Sequence, residues 1–407
     1  MSILKTWREA GKKTFSVILG GDFCPREENS SFVAENAEQI VSGVKTVFKK
    51  DAVKIIQWEC AVTEGGQPII KSGPCHRCTE SVLNAASVLD IDVALLANNH
   101  TGDYGPSEVM TTIENIRARG IKTVGAGINR EAAAEPLFIE KNGVQLAIIN
   151  ICENEFGGAG KNKAGTNTMD PLENLEQIRA VRKKADVVIV TVHGGHENYA
   201  YPSRRMIRLY RAFAEAGADA VWNCHTHCPC GFEEWKGVPV IYSPGNFYFP
   251  RRPYSVPSWN TGYITEFLCD EYGIYGYELT PYGFTREKMF LLEGETCRKA
   301  EAYLKEISEP LADMEKIDAL FDSWCTKAGI SYISLANQTR EEVWPPADWS
   351  DPEVIARWMA IRNLFTCESH TYLIQNTARL IEEGRVAEAA AGLADVKKRQ
   401  NPDFVTW

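Results

Sequence analysis

No stretch of this 407-residue chain approaches the ~20 consecutive apolar residues needed to span a bilayer, so the sequence predicts no integral membrane segment. A basic excess is missing too: 44 Lys+Arg stand against 54 Asp+Glu, a formal net charge of −10. Contacts with phosphate backbones call for clustered Lys and Arg, which excludes a general nucleic-acid binder. Internal repeats and low-complexity tracts are absent, and 44% hydrophobic with 24% charged residues excludes disordered and collagen-like chains. The amino terminus carries Lys5, Arg8, Lys12 and Lys13, and the apolar run over 15–19 is too short for a signal-peptide core. These features predict a cytoplasmic protein. Twelve cysteines in so long a chain do not form a small-domain disulfide framework, and a reducing compartment keeps most of them as thiols.

What is present is an alternating rhythm. Short apolar runs predict strands over 15–19, 53–58, 92–97, 122–124, 144–151, 186–192, 218–223 and 239–242. Amphipathic stretches between them predict helices over 32–50, 106–119, 171–184 and 202–215, with Pro106, Pro171 and Pro202 in first turns. Continuous apolar runs such as Val187-Val188-Ile189-Val190 suit strands covered on both faces, hence a layered α/β domain with largely parallel pairing. From about 254 to 292 short aromatic runs predict antiparallel strands. After 293 the chain reads as helical, over 295–328, 352–363, 371–383 and 386–399, broken by Trp344-Pro345-Pro346. The chain thus divides into 1–292 and a helical region, 293–407.

The residues that follow the strands carry the chemistry. Successive strand ends lead into Asp22, Glu59, Asn98-Asn99-His100, His193 and His225-Thr226-His227. In open α/β sheets ligands bind beyond the carboxyl ends of strands. Two carboxylates, an amide oxygen and three imidazoles form a mixed oxygen and nitrogen set, suited to Zn, Mn or Fe rather than Mg or Ca. The set exceeds the needs of one tetrahedral ion, so two divalent ions about 3.5–4 Å apart are expected.

Gly21-Asp22, Glu59, Ala97-Asn98-Asn99-His100 with Asp103-Tyr104-Gly105, Gly125-Ala126-Gly127, His193-x-Gly195-x-Glu197, His225-x-His227 and Tyr242-Ser243-Pro244-Gly245-Asn246-Phe247 together resemble the capsule-biosynthesis CapA family. That family is the poly-γ-glutamate-synthesis branch of the calcineurin-like metallophosphoesterases. The resemblance runs from about 15 to 249. It implies a four-layer α/β/β/α sandwich, here with a C-terminal helical extension, and a dinuclear centre. Asp22 and His227 would bind the first ion, Asn99, His193 and His225 the second, with Glu59 bridging and His100 as general acid. In the first motif Cys24 stands where the superfamily usually has His, which makes its thiolate a further ligand candidate. Glu59 stands where Asp is usual.

The reaction so implied is metal-assisted hydrolysis of a phosphoester or a related anionic ester or amide. Arg251 and Arg252 are placed to hold a small anionic or polyanionic substrate. Asp103 is expected to cap the next helix or orient Asn99. Glu197 and Tyr199 are expected to orient His193, with His196 on the surface or substrate side and His370 a satisfied or exposed side chain. Cys75-His76-Arg77-Cys78 lacks a second Cys-x-x-Cys and reads as a thiol-rich loop, although a thiol-based zinc or redox module is a third reading. Gly125-Ala126-Gly127 lacks the third glycine of a dinucleotide fingerprint. A second reading of the whole is a non-hydrolytic accessory protein in capsule-polymer synthesis that binds polymer or partner, without the membrane anchor such proteins usually carry. A homo-oligomer is compatible with either.

Overall fold

A computed structural model describes residues 2–48, 51–251, 257–337, 348–399 and 402. Two sheets lie at its centre. In the first, the parallel strands Phe15–Phe23, Val53–Trp58, Val93–Leu95 and Lys122–Val124 lie side by side. Antiparallel strands Thr261–Asp270, Gly273–Phe284 and Ile3–Thr6 extend it beyond Phe15–Phe23. The second sheet runs Phe232–Trp235, Val238–Ile241, Ala220–Cys224, Val187–His193, Val144–Cys152 and Leu137–Lys141, parallel through its four central strands.

Side-chain alternation stacks the layers. Val17, Leu19, Val53, Ile55, Val93 and Leu95 point into one contiguous core with Ile148, Val188, Val190 and Val221 of the second sheet. Their neighbours Ile18, Ile56 and Ala94 pack instead against Ile40, Leu83 and Ile113 of the outer helices. Period-two strands can serve both cores because successive side chains face opposite ways. Trp222 crosses between sheets, its indole N–H donating to Thr265 Oγ1 at 3.2 Å. With Pro171–Arg182 and Arg204–Ala216 covering the second sheet, the layers are helix, sheet, sheet, helix.

Several predicted helices are interrupted. The stretch 32–50 forms Ser30–Glu35 and Ala37–Val41, because the Asn36 carboxamide turns back onto the Phe32 carbonyl. The stretch 295–328 divides into Gly294–Ser308, Met314–Cys325 and the start of Ala328–Asn337, with Pro310 and the Asp313 N-cap between the first two. Gly392 parts Val386–Ala391 from Leu393–Arg399. Pro202 precedes the Ser203 cap and is not in the first turn of Arg204–Ala216. Trp344-Pro345-Pro346 lies outside the described residues.

The late helices join the main core. Leu304, Ile307, Phe321, Trp324, Leu373, Leu380 and Val396 belong to the same cluster as Val190 and Trp222. Trp324 stacks on Tyr199 at 5.2 Å, and Phe321 on Tyr372 at 5.3 Å. Glu153, one residue past Val144–Cys152, fastens the amino end of Glu368–Glu382. Its carboxylate accepts from Ser369 N at 3.1 Å and Ser369 Oγ at 2.9 Å, and it pairs with Arg205. Asn154 N and Nδ2 donate to Glu368 at 2.9 and 2.6 Å. No helix among the described residues is long and apolar enough to cross a membrane.

Candidate metal centre

The strand ends of both sheets converge on one buried cluster. Val187–His193 ends on His193, which stands in register with Cys152 and Cys224 of its neighbours. Phe15–Phe23 carries Asp22 beside Asn246 of the Asn246–Tyr248 strand. That pairing depends on Gly21: a β-carbon there would collide with the Gly245 carbonyl oxygen. Asp22, Glu59, Asn99, His193, His225 and His227 are each at most 7% exposed. So deep a polar cluster must satisfy itself internally or hold something.

His193 Nε2 lies 3.0 Å from Asn99 Oδ1, 3.1 Å from His225 Nδ1 and 3.3 Å from Glu59 Oε1. Four potential donor atoms thus converge from four separate segments. On the other side of Glu59, His227 Nε2 is 3.8 Å from Glu59 Oε1, and its Nδ1 is 3.5 Å from Asp22 Oδ2. Asp22 Oδ1 and both Glu59 oxygens are buried and accept no hydrogen bond from the described residues. Two sets of candidate ligand atoms, Asp22 with His193 and Cys224, and Glu59 with His225 and His227, each lie within 4.8 Å of one another. Unpaired buried carboxylate oxygens among imidazoles suit a cation, because leaving such charge uncompensated is costly.

The backbone turns sharply at His225-Thr226-His227, just past the Ala220–Cys224 strand. His225 has φ 100° and His227 φ 56°, both in the left-handed region that non-glycine residues avoid. Such conformations cost on the order of 1–3 kcal/mol each and persist where surrounding structure imposes them. Here they turn both rings toward Glu59. Each histidine is also held from behind. His227 Nδ1 meets Asn246 Oδ1 at 2.8 Å, while Asn246 Nδ2 donates to the Trp259 carbonyl. His225 Nε2 faces Glu155 at 3.6 Å, and His193 Nδ1 faces the Cys224 thiol at 3.4 Å. Partners of this kind fix the tautomer that leaves the other nitrogen free.

Protonation follows the same crowding. Burial, and then the Asp22 carboxylate, push Glu59 well above the usual carboxylate range. Burial opposes ionisation of Asp22 as well, but the hydrogen bond and charge of His227, with His193, hold it low. Burial would keep His227 neutral, yet Glu59 and Asp22 raise it to about 10. Burial and the neighbouring imidazole of His225 push His193 down. In this state His227 supplies positive charge that a bound cation would supply instead.

His100 sits at the edge of the cluster. Its Nδ1 is 2.6 Å from Asp103 Oδ2, an oxygen that also accepts from His76 N at 2.6 Å, and Lys71 pairs with Asp103 Oδ1. Asp103 therefore orients His100; it neither orients Asn99 nor caps the Pro106–Ala118 helix, whose N-cap is Gly105. Burial and the Lys71 charge push His100 well below its ordinary range, so the resting ring is neutral. The ring lines a cavity of about 270 Å³ together with Lys71, Asn99, Glu155, Glu197 and His370.

Other expectations need correction. Glu197 is exposed to this cavity rather than set behind His193, and Tyr199 is buried against Trp324. His196 is 5% exposed and packs on Phe321, because the late helices cover the face it was expected to present. His370 belongs to the cavity wall. Cys24 belongs to neither ligand group; its thiol hydrogen-bonds Cys60 and is raised by burial to about 11. Cys60 lies 3.5 Å from Cys78, so these thiols form a cluster behind Glu59, while Cys75 Sγ turns to the Ile69 carbonyl. Arg251 lies with its guanidinium 3.4 Å over the Trp259 ring, and Arg252 is outside the described residues.

The model for the bacterial capsule synthesis protein PGA_cap matches residues 16–251, more than half of the chain. The chain belongs to the PGA_cap family. It is 34% identical over 178 residues to the capsule biosynthesis protein CapA of Bacillus anthracis, covering 42% of this chain and 43% of that one. It is also 34% identical over 158 residues to the PGA biosynthesis protein CapA of Bacillus subtilis, covering 38% and 42%. A probable polyglutamine synthesis accessory protein of Mycobacterium tuberculosis is 25% identical over 208 residues, 48% of this chain and 54% of that one. This PGA_cap chain spans about half the length of the curated relatives it matches. Among solved structures, one described as a novel phosphatase from Mycoplasma pneumoniae aligns at 14% identity and TM-score 0.42, over 67% of this chain and 94% of that one.

Sequence reasoning missed Glu155, Asn246 as a partner of His227, and His370. Asn246 stood within a quoted motif, but Glu155 and His370 lie in segments where spacing carries no signal.

Proposed function

We propose that this PGA_cap protein is a metal-dependent hydrolase with a dinuclear centre of Mn, Zn or Fe, acting on a phosphoester or related anionic ester or amide. The observation that carries the reading is the set of buried, unpaired oxygens on Asp22 and Glu59 within reach of three imidazoles and Asn99. Asp22, Glu59 and His227 would hold one ion, and Asn99, His193 and His225 the other, with Glu59 between. When bound, such ions supply Lewis-acid activation of a water and of the scissile group. The chain's own part is to exclude bulk water, to keep each imidazole in its ligating tautomer and to present His100. With Nδ1 held by Asp103, His100 leaves Nε2 free to take up a proton and then give it to the leaving atom.

Metal analysis of protein purified without a metal column should find one to two transition ions per chain, and generic aryl phosphate should be hydrolysed in a metal-dependent way. His193→Ala should abolish both. A metal-free protein with no hydrolysis after reconstitution defeats the proposal. The names of the relatives support a second reading, a binding role in capsule-polymer synthesis with turnover secondary. Binding of poly-γ-glutamate that survives loss of His193 and His227 would favour it. A cytoplasmic location belongs to the same proposal and is tested by cell fractionation.

A further inference from the structure

The cavity over the centre is walled partly by helices beyond the stretch that matches the family, 16–251. Its chemistry is one-sided. Glu155 and Glu197 both line it; Glu155 faces His225 Nε2 at 3.6 Å, and no described residue donates a hydrogen bond to Glu197. Asn363, on Pro352–Thr366, is 6% exposed; its Nδ2 reaches Ser72 Oγ at 3.4 Å, while its Oδ1 is buried without a donor among the described residues. His370 Nδ1 lies 3.4 Å from the Asn363 carbonyl. The cations nearby are engaged elsewhere. Lys71 is paired with Asp103 and donates to the Asn99 carbonyl at 3.3 Å. Arg251 acts on Glu197 through its charge but stacks on Trp259 and does not line the cavity.

Two carboxylates and an amide oxygen without a described donor make a wall of acceptors beside the candidate metal centre. An anion can sit only over that centre. The wall suits a group with several N–H donors and a positive charge. At about 270 Å³ the cavity lies just below the roughly 300–1,000 Å³ common for drug-sized ligands.

We propose that this cavity selects a compact substrate whose scissile anionic group lies over the metal centre and whose other end is a primary ammonium received by Glu155 and Glu197, with the Asn363 Oδ1 as a neutral acceptor. The inference rests on the hydrolase reading for the scissile end only; the ammonium end is a matter of binding.

The test uses the full chain loaded with Mn²⁺. Calorimetric titration compares 2-aminoethylphosphonate with propylphosphonate, of the same length without the amine, while hydrolysis of 2-aminoethyl phosphate, propyl phosphate and an aryl phosphate is followed in parallel. The amine should tighten binding at least tenfold, and the Glu155→Gln/Glu197→Gln double variant should reduce that ratio to threefold or less. Asn363→Asp, which adds charge to the same wall, should raise the ratio and supplies the readout if the double variant does not fold. Equal binding of the two phosphonates, binding of neither, or a ratio insensitive to these variants overturns the inference. If the aryl phosphate is still hydrolysed in those cases, the hydrolase reading survives. A tenfold amine preference with no turnover of any ester defeats the hydrolase reading and upholds the ammonium site.

Discussion

Glu153 is the residue whose removal should be felt most widely. Its carboxylate is buried at the end of the Val144–Cys152 strand, where it receives Ser369 N and Oγ and pairs with Arg205. Burial by itself would raise its pKa, but the Arg205 charge and the Ser369 hydrogen bond lower it from the ordinary 4.5 to about 2. At 1.36 kcal/mol per pKa unit, that depression corresponds to about 3 kcal/mol of native-state preference for the carboxylate. Loss of one partner from a buried pair costs about 3–5 kcal/mol, so the two routes agree. Because the folded pKa is depressed, the stabilisation is complete above the unfolded value of 4.5 and is lost as pH falls toward 2. Glu153→Gln should therefore lose about 3 kcal/mol at pH 7, while the wild-type advantage shrinks to less than half of that at pH 3. Urea unfolding followed by circular dichroism at both pH values measures the difference. Hydrogen exchange over Glu368–Glu382 should also quicken, because the amino end of that helix is what Glu153 holds. A loss under 1 kcal/mol at pH 7, or one independent of pH, would refute the assignment.

Three further outcomes are expected. Adding Mn²⁺ or Zn²⁺ to chelated protein should raise its melting temperature, by the equivalent of about 2.7 kcal/mol at a hundredfold excess over Kd. Glu59→Gln should lose most of that gain, and no gain in the wild type would argue against a cation site. His100→Ala should lower kcat by about 10²–10⁴ with metal content intact, and Asp103→Asn by less; loss of the metal in His100→Ala would make that residue a ligand instead. Gly21→Ala drives a β-carbon into the Gly245 carbonyl and should cost about 1–3 kcal/mol or more, seen as a lowered urea midpoint. Gly160→Ala, whose nearest atom would be 3.4 Å away, should stay within about 0.5 kcal/mol, and equal losses from both would refute the packing argument.

The amino-acid sequence by itself determined the layered α/β class, because continuous apolar runs such as Val187–Val190 can be satisfied only between two covering layers. It also marked Asp22, Glu59, Asn99, His193, His225 and His227, since strand ends in such sheets share one edge. Helix lengths were less legible: Asn36, Pro310 and Gly392 interrupt amphipathic stretches whose periodicity continues through them. Tertiary structure alone decided how the site is aimed. The left-handed backbone at His225 and His227 is imposed by neighbours, and no local preference encodes it. Asp103 was visible as a polar residue, but its partners, His100, Lys71 and the His76 amide, come together only when the 69–78 loop folds over it. His370 and Asn363 reach the cavity because Glu153 anchors a helix more than two hundred residues later. Contacts of that separation depend on packing, and periodicity along the chain reports only the local face of each element.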